Sequence, residues 1–203
     1  IVNTLLLGIL IGNMGLGTML SVIGMLPSIL FAIFGARYAG KHGNKESILA
    51  WSRNSIFVAL IAIVFFIVID PKSIATMGVT MILYVLITLV LNGFMMCITT
   101  ANTAFMADII DYELDRSGRF VPAVVTGTSS LIDKIVSSVS TLIATGCVAL
   151  VGYTASLPQP GDAATTGVLV VTMFLKYGLA ILGWICTLIA MRRCKLDKAG
   201  MVV

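Results

Sequence analysis

The sequence predicts an all-α integral membrane protein, and three observations predict it. Of the 203 residues, 59% are hydrophobic and only 11% are charged, with a mean hydropathy of +1.07; a soluble domain of this length needs far more polar surface to cover one core. Five apolar runs are each long enough to cross a ~30 Å hydrocarbon layer at 1.5 Å per residue. The runs are unbroken rather than alternating, and about twice the length of a spanning barrel strand, which argues against a β-barrel.

Taken in order, residues 1–11 are too short to span alone and read as the end of another helix. The first full span is 15–36, with a kink expected at Pro27, where the ring removes a backbone donor. Residues 48–69 form the second span, entered through Arg53, and 74–99 the third. Residues 122–153 and 167–191 complete the set, followed by a tail over 192–203. The links "DPKS" after Ile69 and "SLPQPGD" before the last span are short and rich in Pro and Gly, and read as turns. The opening "IVNTLLLGIL" carries no initiator Met, basic n-region or cleavage site, so it does not read as a signal peptide; the chain reads as one entered partway through.

Lys and Arg outnumber Asp and Glu by 13 to 9. The basic residues lie between the apolar runs rather than along one helical face, which reports orientation in a bilayer and not nucleic-acid binding. One side collects Arg37, Lys41, Lys45, Arg53, Arg116, Arg119, Arg192, Arg193, Lys195 and Lys198, against Lys72 alone on the other. The positive-inside rule then places loops 37–47 and 108–121 and the C-terminus in the cytoplasm. Cys97, Cys147, Cys186 and Cys194 have neither zinc-site nor disulfide spacing and read as small apolar side chains; no metal and no organic cofactor is expected. Gly8 with Gly12, and Ser137 with Thr141 and Thr145, have the four-residue spacing that lets helices approach in lipid, and helix packing is the expected role.

Three polar stretches stand out. "ADIIDYELDRSGRF" places six charges in fourteen residues, with Asp108 and Asp111 on one helical face at a C-terminal end, where carboxylates oppose the helix dipole. Arg116 and Arg119 follow at once, and Arg37, Lys41 and Lys45 occupy the neighbouring link "GARYAGKHGNK", whose glycines Gly35, Gly40 and Gly43 permit a turn. This set reads either as an ordinary solvated helix end or as a breakable cytoplasmic salt-bridge gate. His42, the single histidine, reads as solvated. In "GTSSLIDKIVSS", Lys134 lies twelve residues past Pro122, hence ~18 Å deep. A charge there costs about 2.5–3.5 kcal/mol, which favours a wet cavity or a partner over lipid. Asp133 diverges from it by ~100° and is a poor partner; Ser130 shares its face. Lys176, nearer the outer end of its span and beside Tyr177, reads as a snorkelling lysine.

"FMADIIDYE", "RSGRFVP" and "SSLIDKIVSS" together resemble the glycoside, pentoside and hexuronide cation symporters, the melibiose-carrier branch of the major facilitator superfamily, and "GARYAGKHGNK" resembles the basic loop of that superfamily. The resemblance covers nearly the whole chain, as the C-terminal six-helix half, with five complete spans and the end of one. It implies a multi-pass protein of the cell (plasma or inner) membrane that takes up a sugar or glycoside by alternating access, with sodium or a proton as coupling ion. It implies a cavity site around Lys134 and Ser130, with Asp133, Thr99 and Asn102 as its further candidates; by ungapped count, Thr99 stands where melibiose carriers stack an aromatic on sugar, and Asp133 beside Lys134 is likewise a departure from them. It also implies a cytoplasmic gate at Asp108, Asp111, Arg116, Arg119, Arg37 and Lys41. The partners it implies are a small-molecule solute, the bilayer and an N-terminal six-helix half carrying the cation-binding carboxylates. A lipid, lysolipid or other polar-solute carrier of the same fold is the alternative. An intramembrane enzyme would need a catalytic motif such as "HExxH" or "GxSxG", which the chain lacks; a non-transporting scaffold leaves the buried lysine unexplained.

Overall fold

The computed structural model describes residues 1–76, 78–154 and 157–194. Hydrocarbon offers the backbone no water to bond, so each apolar run closes its N–H and C=O groups on itself as a helix. The helices are α1 (Gly15–His42), α2 (Asn44–Val68), α3 (Val79–Ser117), α4 (Pro122–Leu150), α5 (Thr166–Met173) and α6 (Leu179–Arg193). A π-helical turn over Phe174–Gly178 joins α5 to α6, so that Thr166–Arg193 runs as one span. A second π-helical segment, Thr4–Leu10, precedes α1, and a 3-10 turn covers Pro71–Ala75. Among the described residues there is no strand. Four helices are long and apolar enough to cross a membrane, and α1 makes a fifth if its two arms count as one span; the arms meet at 46° around Pro27, where the kink was expected. The all-α membrane fold read from the sequence is the one observed.

The helix ends differ from the expected ones in an instructive way. Residues 37–47 and 108–117 are helical but for Gly43, and only 118–121 form a loop between α3 and α4. Arg37 to His42 are the last turns of α1, Gly43 alone links it to α2, and α3 continues through the whole acidic stretch to Ser117. Hydropathy marks where a helix leaves lipid, whereas the backbone bonds carry on until a residue breaks them. Both breaks are glycines at positive φ, Gly43 at 97° and Gly118 at 68°, each donating its N–H back into the helix it ends. At 39 residues α3 is about 58 Å long, far beyond a ~30 Å hydrocarbon layer. At the opposite end, Asp70 accepts from the Lys72 amide at 3.0 Å and Asp162 from the Gln159 amide at 2.8 Å, both tight turns. Ser156, Lys195, Lys198 and the tail beyond Cys194 lie outside the described residues.

Close approach of α1 and α3 is set by two glycines. A Cβ on Gly35 would stand 2.8 Å from the Cys97 Cα, and one on Gly93 would stand 2.4 Å from the Phe31 ring. Between them the Cys97 thiol donates to the Phe31 carbonyl at 3.0 Å. Gly35 therefore serves packing rather than the turn its motif suggested. On α2 the small residues Ser52, Ser55, Ala59 and Ala62 are buried, which lets this helix sit at the centre against α1, α3 and α6. Towards the end opposite the basic clusters, the ring of Phe66 lies 5.8 Å from that of Tyr84 and 6.3 Å from that of Tyr177, beside the buried run Leu5 to Ile11. Gly8 packs against Pro160 and Met14, which lie in turns rather than on a facing helix, and Gly12, at φ 79° with open space around it, is a turn, so neither serves the helix packing expected of the pair.

Substituting Gly35 by Val overpacks the α1–α3 seam and is expected to destabilise the protein by about 1–3 kcal/mol. Gly183→Ala, where the added methyl meets nothing within 4 Å, is the control. Thermal unfolding in detergent checks this: equal midpoints for the two variants would contradict the packing described.

Candidate functional site

Helix α4 differs from the others. Of its 29 residues only Val148 is buried. Thr126, Ser130, Lys134, Ser137, Thr141 and Thr145 recur every three or four positions and so share one face, with Asp133 at its margin; Ile132, Ile135, Val139 and Leu142 occupy the opposite face. All of these side chains are exposed. A helix apolar enough to span, yet polar along one full side, meets lipid with one face and something wetter with the other. The helix packing expected of Ser137, Thr141 and Thr145 is not what they do here: they are part of the exposed polar stripe.

The stripe has a definite chemical polarity. The hydroxyls of Thr126, Thr141 and Thr145 donate to carbonyls one turn back at 2.8–3.0 Å, spending their protons on the helix itself. What they offer outward are lone pairs. Lys134 supplies three outward donors, and its ammonium makes no hydrogen bond or ion pair with another described residue, Asp133 included.

Thr99 belongs to a second surface. With Ser21, Ser28, Asn92, Met95 and Met96 it lines a groove of about 380 Å3 between α1 and α3. Its hydroxyl donates to the Met95 carbonyl at 2.9 Å, leaving an acceptor facing the groove. Asn102, one turn further towards the basic end, is exposed on the same side of α3 but does not line the groove. Lys134, Ser130 and Asp133 do not line that groove. Ser21, Ser28 and Asn92 are polar members that sequence reasoning missed, although Asn92, a lone amide seven residues before Thr99 in an apolar run, lies two turns away on the same face, and that spacing was legible.

At the basic end, half-buried Asp108 accepts from the Asn44 side-chain amide at 2.7 Å, which ties the start of α2 to α3. Lys45 donates to the Cys194 carbonyl at 2.7 Å and ties the same turn to the end of α6. Arg37, Lys41, Asp111, Arg116 and Arg119 are exposed at this end. His42 stacks on Tyr38 with ring centroids 4.3 Å apart. Among the described residues no three His, Cys, Asp or Glu side chains converge as a metal set. Lys176, half-buried in the π-helical turn about 15 Å into the last span, sits deeper than a snorkelling lysine needs to be.

A family described as MFS/sugar transport protein matches residues 6–198. No curated protein and no solved structure matches the chain.

Two measurements check this geometry. Cysteines placed at Ser130, Ser137 or Thr141 are expected to react with a membrane-impermeant thiol reagent while cysteines at Ile132, Ile135 or Val139 do not; uniform labelling would remove the two-faced reading of α4. Asn44→Ala is expected to speed hydrogen exchange in the first turn of α2, and unchanged protection there would mean that the Asp108 contact holds nothing.

Proposed function

This chain belongs to the MFS/sugar transport protein family, and on that premise we propose that it carries a sugar or glycoside by cation-coupled symport through alternating access, with sodium or a proton as the coupling ion. The observation that carries this reading is α4, a spanning helix with a continuous polar stripe and a lysine near mid-depth. An ammonium at that depth is tolerated where it meets water, a solute or an opposing carboxylate. A sugar needs both donors and acceptors around its hydroxyls. Lys134 provides donors, and Ser130, Thr141 and Thr145 provide acceptors along the same face.

Coupling follows from charge. A carboxylate facing Lys134 from a second helical bundle would be neutralised either by the lysine or by the coupling cation, so that cation entry frees the ammonium for the solute. The groove beside Thr99 and Asn92 gives the solute a second wall, on α1 and α3. The basic end is the cytoplasmic one in this reading, where Asp108, Asp111, Arg116, Arg119, Arg37 and Lys41 form the gate and the Asn44–Asp108 contact fixes α3 against α2 behind it.

Replacing Lys134 by Met in the full-length carrier is expected to abolish gradient-driven uptake of radiolabelled sugars into vesicles. Coupled uptake at wild-type levels, for any sugar of the panel, would refute the role given to this lysine.

A further inference from the structure

A cavity of about 340 Å3 lies between the basic ends of α1, α2 and α6, away from α4 and from the groove beside Thr99. Tyr38, Glu46, Leu49, Arg53, Leu188 and Arg192 line it. Two guanidinium groups thus face one space with a single carboxylate, and none of the three is hydrogen-bonded or ion-paired to another described residue. The Tyr38 wall is braced, since its ring stacks on His42 and meets the edge of Trp51 at a centroid distance of 5.6 Å.

Depth gives this arrangement its meaning. From Arg53 to the end of α2 at Val68 is about 23 Å of helix, less than the ~30 Å of hydrocarbon to be crossed. With Val68 at one boundary, the Arg53 backbone sits roughly 7 Å inside the other, within snorkelling reach of the head-group layer. Arg192, in the last turn of α6, reaches the same cavity from that layer. The geometry points to a phosphate site filled, in a bilayer, by the head group of an anionic phospholipid. A phosphodiester takes paired N–H donors from each guanidinium fork, the Tyr38 hydroxyl adds a donor, and Leu49 and Leu188 flank the glycerol and upper acyl carbons. Nothing in the transport reading uses these residues, so the site stands or falls separately from it.

The test uses the full-length protein in nanodiscs of phosphatidylcholine with a minor share of phosphatidylglycerol, with retained lipid counted by native mass spectrometry and thermal midpoints recorded alongside. Wild-type protein is expected to retain phosphatidylglycerol preferentially. Arg53→Gln and Arg192→Gln should each lower that retention about fivefold, Glu46→Gln should raise it, and Lys72→Gln at the opposite end should leave it unchanged. Because Arg192 is exposed at a helix end, its variant carries the test if Arg53→Gln does not fold. Inorganic phosphate that raises the midpoint in pure phosphatidylcholine, and does so only with both arginines present, supports a phosphate site filled from solution. Equal retention by wild type and both arginine variants, with no response to phosphate, overturns the proposal.

Discussion

Hydrocarbon gives helices no hydrophobic reason to associate, because a lipid tail is as apolar as a leucine. What holds this bundle together must therefore be close packing and a few polar contacts, and both are visible where α1, α2 and α3 meet. Gly35 and Gly93 bring α1 within contact of α3, and the small residues of α2 seat it at the centre. The polar ties Asn44 to Asp108 and Lys45 to Cys194 lie at the basic end, where the helices run out of the apolar layer. Helix α4 shares none of these devices, and its exposure follows from that as directly as the compactness of the other three.

The same constraint explains what the sequence could and could not say. A spanning helix is written in composition, so the five apolar runs, the kink at Pro27 and the turn at Gly43 were legible. Helix ends were not: α3 outruns its apolar segment by eighteen residues, from Thr99 to Ser117, because solvated polar side chains do not interrupt backbone bonding and only Gly118 does. Glycine within a motif was ambiguous too. Gly35 and Gly43 stand in one stretch, yet the first makes room for Cys97 and the second reverses the chain.

The candidate site was legible in part for the same reason. A lysine in an apolar run announces itself, and Lys134 was found by depth alone. The stripe around it was harder to see, since serines and threonines at four-residue spacing serve helix packing as readily as a wet face; only the exposure of these side chains along α4 separates the two. The groove between α1 and α3 depends on residues from two helices, Ser21 and Ser28 on one and Asn92 and Thr99 on the other, and no single segment encodes that meeting. The π-helical turn at Lys176 was likewise invisible, because its hydrogen-bond register leaves no mark on hydropathy.

The one-residue link at Gly43 has a mechanical corollary. Two successive Cα–Cα steps of ~3.8 Å leave His42 and Asn44 a reach of under about 8 Å, so α1 and α2 are leashed at that end. With Asn44 also clasping Asp108, the leash extends to α3. Any rigid-body motion of these helices must swing those three rods in unison from the basic end, and the freedom to slide is left to α4, most of whose length stays exposed.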